Sequence, residues 1–165
     1  MMSIIRIKNL VEEDFVNYKK PSMFVGTISC NGKCCIEANI PISVCQNDAW
    51  RACNALQVPC NILCERYLGN PVTKAIVFGG LEPFEEFEDI MNFISTLRND
   101  YDCHDDIVIY TGYNKDEILN QIEELKKFDN IIIKFGRFVP NDESRYDEVL
   151  GITLVSKNQY AERIS

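Results

Sequence analysis

Eight cysteines stand in a chain of 165 residues, and four of them, Cys30, Cys34, Cys35 and Cys45, crowd into one short stretch. In a reducing compartment, clustered thiols are more often ligands of a metal or a cluster than disulfide partners. The three residues between Cys30 and Cys34 include Gly32, so a tight turn can bring two thiolates onto one inorganic cluster. Cys45 follows, in Cys45-Gln46-Asn47. Three thiolates leave one iron of a four-iron cluster without a protein ligand, and an open coordination position separates a reactive centre from a closed electron-transfer cluster. Zinc is the competing ion, but a zinc ribbon supplies two close Cys pairs and the only histidine is His104, so iron-sulfur chemistry is the better match. Cys35 is the alternative to Cys45 as third ligand, although thiolates on neighbouring residues must splay to reach separate irons. Cys60 and Cys64 read as small thiols packed near one helix face, and Cys53 and Cys103 as buried apolar side chains.

Such ligands need elements to hold them. Three short apolar runs, Ala75 to Phe78, Ile107 to Tyr110 and Ile131 to Ile133, are rich in Ile and Val, as strands buried on both faces are. Met23 to Ser29 and Val149 to Val155 are two more strand candidates, the second weakened by Gly151. Between them, Phe84, Phe87, Ile90, Met91, Ile94 and Leu97 recur at helical spacing, as do Ile118, Ile122 and Leu125. Asn114 and Glu117 form a capping-box pattern, and a shorter helix is expected from about Cys60 to Leu68, stopping at Gly69. Alternating strand and helix predicts an α/β fold, a partial (βα) barrel with a mostly parallel sheet of about five strands. Ligands of such sheets sit at the carboxyl ends of the strands. The segments that follow the five predicted strands are Cys30 to Cys35, Gly79-Gly80-Leu81-Glu82-Pro83, Thr111-Gly112-Tyr113, Gly136-Arg137 and Ser156-Lys157-Asn158-Gln159. All five land on one rim, which marks it as the binding face.

These segments resemble those of the radical S-adenosylmethionine (SAM) superfamily, and within it the small activating proteins of anaerobic ribonucleoside-triphosphate reductase. That family's Cys-x3-Cys-x2-Cys motif, often followed by Tyr-Asn, is similar to Cys30, Cys34 and Cys45-Gln46-Asn47 with an insertion before the third cysteine. Its Gly-Gly-Glu-Pro motif resembles Gly79-Gly80-Leu81-Glu82-Pro83 with one extra Leu, and its Tyr-Thr-Gly-Tyr segment is matched by Tyr110-Thr111-Gly112-Tyr113. Gly136-Arg137-Phe138 and Ser156-Lys157-Asn158-Gln159 match two further segments. The resemblance implies a [4Fe-4S] cluster on Cys30, Cys34 and Cys45. It implies SAM bound by Asn47, Gly79, Gly80, Glu82, Pro83, Tyr110, Thr111, Gly112, Tyr113, Arg137, Asn158 and Gln159, with the glycine carbonyls and Glu82 receiving the SAM amino group. It further implies reductive cleavage of SAM to a 5'-deoxyadenosyl radical, a glycyl-radical enzyme like anaerobic ribonucleotide reductase as partner, and a small electron-donor protein.

Composition bounds these expectations. With 46% apolar and 25% charged residues, residues 1–165 read as a single globular domain. A net charge of -8, from 17 basic and 25 acidic side chains, repels phosphate backbones and anionic lipid, so neither nucleic acid nor membrane is an expected partner. The N-terminal stretch is interrupted by Arg6, Lys8 and Asn9 and does not read as a secretory signal, and no apolar run reaches the roughly 18 residues of a membrane span. A cytoplasmic location is expected. The competing readings are an iron-sulfur binding or sensing module without catalysis, a radical SAM enzyme acting on another substrate, and a plain α/β nucleotide-binding domain. The last lacks a Gly-x-Gly-x-x-Gly or Walker pattern.

Overall fold

The computed structural model describes residues 2–30, 32–45, 49 and 52–165. Ten strands are present among them: β1 (Ile4–Ile7), β2 (Asn9–Asp14), β3 (Ser22–Thr27), β4 (Leu56–Pro59), β5 (Ala75–Gly80), β6 (Asp106–Tyr110), β7 (Ile131–Phe135), β8 (Arg145–Asp147), β9 (Ile152–Leu154) and β10 (Tyr160–Arg163). The α-helices whose residues are all described are α1 (Lys33–Glu37), α2 (Cys60–Leu68), α3 (Phe87–Ser95) and α4 (Leu119–Leu125). A 3-10 turn over Pro83–Glu86 leads into α3, and a π turn over Thr96–Asp100 extends it.

The expected partial (βα) barrel is not formed. Six strands make one open, mixed sheet in the order β10-β7-β6-β5-β3-β2. β3, β5, β6 and β7 run parallel, but β2 lies antiparallel on β3 and β10 antiparallel on β7, so both edges reverse direction. The predicted fifth parallel strand, 149–155, is not in this sheet. Gly151, at φ +71, turns the chain so that β9 folds back on β8 as a separate two-stranded ribbon. The edge place is taken by β10, whose Glu162 and Arg163 interrupt any apolar run. β1 and β4 form a second antiparallel pair.

Alternation along the strands sends successive side chains to two different apolar clusters, one on each face of the sheet. Ile76, Phe78, Ile107, Ile109, Ile131 and Ile133 point into the core shared with α2, α3 and α4, as the two-residue period of a strand demands. Ala75, Val77, Val108 and Ile132 point the other way and are covered by Tyr18, Leu150 and Leu154. Cys60 and Cys64 are buried on α2, and burial pushes their thiols up, to about 11 and about 12. Both are packing residues of the core. Cys53 departs from expectation and is exposed. No helix among the described residues is long and apolar enough to cross a membrane.

The end of the sheet away from the predicted rim is fastened by Asp106, at the start of β6. Its carboxylate accepts hydrogen bonds from Tyr18 Oη (2.8 Å), Lys20 Nζ (2.8 Å) and Arg163 Nη2 (3.1 Å). Burial alone raises its pKa, but the bonds from Lys20, Tyr18 and Arg163 outweigh burial and hold it below the usual carboxylate range. A depressed carboxyl stabilises the fold fully above its unfolded pKa, near 4, and loses that contribution as pH falls through the depressed value. Asp106→Asn should therefore cost about 2 kcal/mol or more at neutral pH. In urea melts, the gap to the unaltered protein should close as the pH is lowered below about 4.

Candidate functional site

The four parallel strands end on one rim, and the reversed β10 begins there, since Tyr160 sits opposite Phe135. Between the loops of that rim lies a cavity of about 400 Å³, within the range of small-molecule sites of about 300 to 1,000 Å³. Cys30 and Gly32 from the β3 loop, Gly80, Leu81 and Glu82 from the β5 loop, and Tyr110, Thr111 and Gly112 at the end of β6 all line it. Gln159 closes it from the segment that leads into β10. The binding face expected from the sequence is thus one continuous surface, although the fifth segment reaches it from an antiparallel strand.

Glu82 is the most constrained group there. It is 6% exposed, and its carboxylate accepts Thr111 Oγ1–H at 2.7 Å, Gly112 N–H at 2.9 Å and Phe84 N–H at 3.1 Å. Burial pushes its pKa up, while the bonds from Gly112, Thr111 and Phe84 and the nearby charge of Lys134 oppose the rise. A carboxylate offers about four acceptor positions, so these three bonds leave one for a ligand. Gly80 adopts φ +81, which suits a residue without Cβ. Gly79 lies behind the lining: its carbonyl accepts Thr27 Oγ1–H at 3.2 Å, and a Cβ on it would stand 3.0 Å from the Phe24 ring. Pro83 is buried and opens the 3-10 turn.

The cysteines come to the same cavity by an indirect route. After Cys30, α1 carries Cys34 and Cys35, and Cys35 is a buried part of the cavity wall. The Cys34 side chain lies outside the described part of the structure, as does the whole of Asn47. Asn39 then turns the chain at φ +53, and a 3-10 turn over Ile42–Val44 returns Cys45 to the cavity. The position three residues beyond Cys34, where the resembled motif carries its last cysteine, holds Glu37, which pairs with Arg137 Nε at 3.1 Å. The thiol set suits an iron-sulfur cluster. Cys30 Sγ accepts the Gly32 N–H at 3.3 Å, and Ile40, Leu81 and Phe138 give the cavity apolar walls. A four-iron cluster takes its thiolates at separate irons, so its ligands surround it. Among the described residues no three of Cys, His, Asp and Glu gather as ligands of a single ion.

Three expected cofactor residues brace the rim and do not line the cavity. Arg137 is buried and forks onto Glu117, with Nη2 at 2.6 and 2.8 Å from its two oxygens. Glu117 also accepts the Asn114 N–H at 2.8 Å, closing the expected capping box. Asn158 Nδ2 donates to the Arg137 carbonyl at 2.8 Å, and Tyr113 Oη donates to Glu85 at 2.5 Å. Tyr110 lines the cavity with its ring, while its hydroxyl donates away to the Asn17 carbonyl at 2.6 Å. Lys134 was absent from the sequence-derived set, yet it lines the cavity, 6% exposed, with Nζ 5.5 Å from the Tyr110 ring centre. Its signal was available: a lysine directly after three isoleucines in a strand buried on both faces.

The family model of the 4Fe-4S single cluster domain matches residues 29–160, and the chain belongs to that family. It is a [4Fe-4S] cluster-binding domain. No curated protein and no solved structure matches the chain.

The join between β7 and β10 gives a direct test of the rim. Gly136 stands at φ +102, and a Cβ there would lie 3.1 Å from the Asn158 carbonyl oxygen and 3.3 Å from the Gln159 Cα. Gly136→Ala should destabilise the protein by about 1 to 3 kcal/mol, measured by urea unfolding. A neutral result would mean that the join relaxes freely.

Proposed function

We propose that this member of the 4Fe-4S single cluster family is a radical SAM enzyme, with Cys30, Cys34 and Cys45 as cluster ligands and SAM held in the adjoining cavity. The observation that carries the reading is the shared cavity: Cys30 and Cys45 line the same volume as Gly80, Glu82, Thr111, Gly112 and Gln159. When bound, the reduced cluster supplies the electron that breaks a sulfonium carbon-sulfur bond of SAM, leaving methionine and a 5'-deoxyadenosyl radical.

The chain's own share is binding, orientation and exclusion of water. Glu82 uses its remaining acceptor position for the SAM ammonium, and Gly80 lets the ligand approach the backbone closely. Thr111 and Gly112 keep the Glu82 carboxyl group aimed, since each donates to it, and their bonds oppose the rise in pKa that burial causes. Arg137, Asn158 and Tyr113 act through the wall they brace. Phe138 and Val155 line the cavity and are 38% and 54% exposed, an apolar mouth suited to an incoming protein loop. The hydrogen donor in this reading is a glycyl-radical enzyme of the anaerobic ribonucleotide reductase kind, with a small electron-donor protein reducing the cluster. Because Cys35 also lines the cavity, a second ligand set, with Cys35 in place of Cys45, is the one alternative the geometry favours.

The test is anaerobic reconstitution with iron and sulfide, followed by measurement of 5'-deoxyadenosine with SAM and reductant. Electron paramagnetic resonance (EPR) with a reductase subunit should then show a glycyl-radical doublet. A cluster that forms but never consumes SAM would favour a binding or sensing module.

Two mutational outcomes follow from the site. Cys30→Ala, Cys34→Ala and Cys45→Ala should each lose the cluster absorption and most of the roughly four irons per chain, while Cys35→Ala keeps them. The reverse pattern for the last two would select the second ligand set. Glu82→Gln should retain its iron yet bind SAM more weakly by about 1.5 to 3 kcal/mol, roughly 10- to 100-fold. Titration of the reconstituted protein with SAM measures it, and unchanged affinity would move the ammonium site elsewhere.

A further inference from the structure

The turn that carries Cys30 is held from behind by a chain of polar contacts outside the cavity. Ser29 is gripped twice by the segment after β5. Its carbonyl accepts the Glu82 N–H at 2.7 Å, and its hydroxyl donates to Glu86 Oε1 at 2.7 Å. Glu86 is itself fixed, since Arg6 Nη2 donates to its other oxygen at 2.7 Å. Arg6 is anchored in turn by Asp89, which accepts from its Nε at 2.9 Å and from its backbone N–H at 3.0 Å. The side chains of Glu86 and Asp89 are largely buried, at 11% and 13% exposure, while the Arg6 side chain, 44% exposed, reaches them from the solvent side. The chain therefore runs from β1, through the start of α3, to the residue next to Cys30. Beyond Cys30, Gly32 takes φ +71 and donates its N–H to the Cys30 sulfur at 3.3 Å.

We infer that Ser29 and Glu86 are positioning residues for the cluster: they fix the Cys30 turn so that the Gly32 N–H stays on the Cys30 sulfur. The inference rests on the reading of Cys30 as a cluster ligand. Hydrogen bonds to the ligand sulfurs stabilise the added negative charge of the reduced state and are among the main settings of a cluster's reduction potential. Groups that orient metal ligands from behind typically change metal affinity by about 10- to 100-fold when lost. With the Ser29 hydroxyl gone, the turn loses its tie to Glu86, and the N–H to sulfur contact loosens. The potential then falls, and the cluster becomes easier to extract. The Arg6 pair keeps Glu86 from presenting an uncompensated negative charge behind the ligand.

The experiment uses the full chain, reconstituted anaerobically, as Ser29→Ala, Ser29→Thr, Glu86→Ala and Cys30→Ala. Redox titration followed by EPR reads the midpoint potential and the reduced-cluster signal, and a ferrous chelator reads iron loss. Ser29→Ala should lower the potential, alter the EPR signal and release iron about 10-fold faster. Ser29→Thr, which keeps the hydroxyl, should restore all three readouts, and Glu86→Ala should alter the same signal. Ser29→Ala with an unchanged potential and EPR signal, even at lowered thermal stability, would reduce the contact to a brace of the fold and overturn the inference. Cys30→Ala is read separately: full cluster retention there would overturn the ligand reading itself, and this inference with it.

Discussion

The loops after β5 and β6 are held together around one buried carboxyl group, that of Glu82. An ionised Glu82 at 6% exposure is unfavourable unless its oxygens are hydrogen-bonded. The donors it finds are the Thr111 hydroxyl, the Gly112 N–H and the Phe84 N–H. Meeting that requirement fixes the loop after β6 against the loop after β5. The same residue's N–H binds the Ser29 carbonyl at 2.7 Å, so the loop after β3 is fixed as well. Thr111 N–H continues the lattice to the Lys134 carbonyl at 2.9 Å, and Gly136 N–H to the Tyr113 carbonyl at 3.0 Å. Glu82, through its carboxyl group and its N–H, thereby ties together the cysteine turn, the glycine segment and the end of β6, and backbone bonds extend the lattice to the end of β7.

The open sheet serves this arrangement without barrel closure. A closed barrel needs its first and last strands to pair with each other; here β2 and β10 stand at opposite ends of the strand order and leave the sheet open. β10 contributes to the rim because it is reversed: its amino end, not its carboxyl end, meets the carboxyl end of β7, bringing Gln159 to the cavity. The face without α-helices is sealed by Tyr18 and the β8-β9 region, which lets a small chain bury both faces of β5, β6 and β7.

What was legible in the sequence divides along physical lines. β5, β6 and β7 were visible because burial on both faces writes a continuous apolar run. α3 was visible through its 3.6-residue period, although the helix proper starts at Phe87 and the turn before it is 3-10. β1, β2, β4 and β10 were not, since edge strands and ribbons carry charged or polar residues that break the pattern, as Glu12, Glu13, Glu162 and Arg163 do. The direction of an edge strand is set by tertiary pairing and leaves no local mark, which is why residues 149–155 were read as the last parallel strand. Glycine-rich and polar segments marked the rim correctly. Which of their side chains enter the cavity depended on partners elsewhere in the chain. Arg137 faces Glu37 and Glu117, and Tyr113 faces Glu85, where the resemblance implied cofactor contacts.

The proposed ligand set is spaced differently from the pattern it resembles, and the local geometry differs with it. In the resembled pattern the last cysteine follows the second after one helical turn. Here that place is Glu37, and its carboxylate is drawn to the buried Arg137. Arg137 also holds Glu117 at the capped start of the segment before α4. The better-buried partner is Glu117, at 27% side-chain exposure, while Glu37 is 51% exposed and its pair with Arg137 is correspondingly weaker. The extra residues then fold out through Asn39 and Pro41 and come back through the 3-10 turn, bringing Cys45 to the wall that Cys30 and Cys35 share. In the proposed ligand set the third cysteine therefore reaches the others through the tertiary fold, by way of the 3-10 turn, and not by helical pitch.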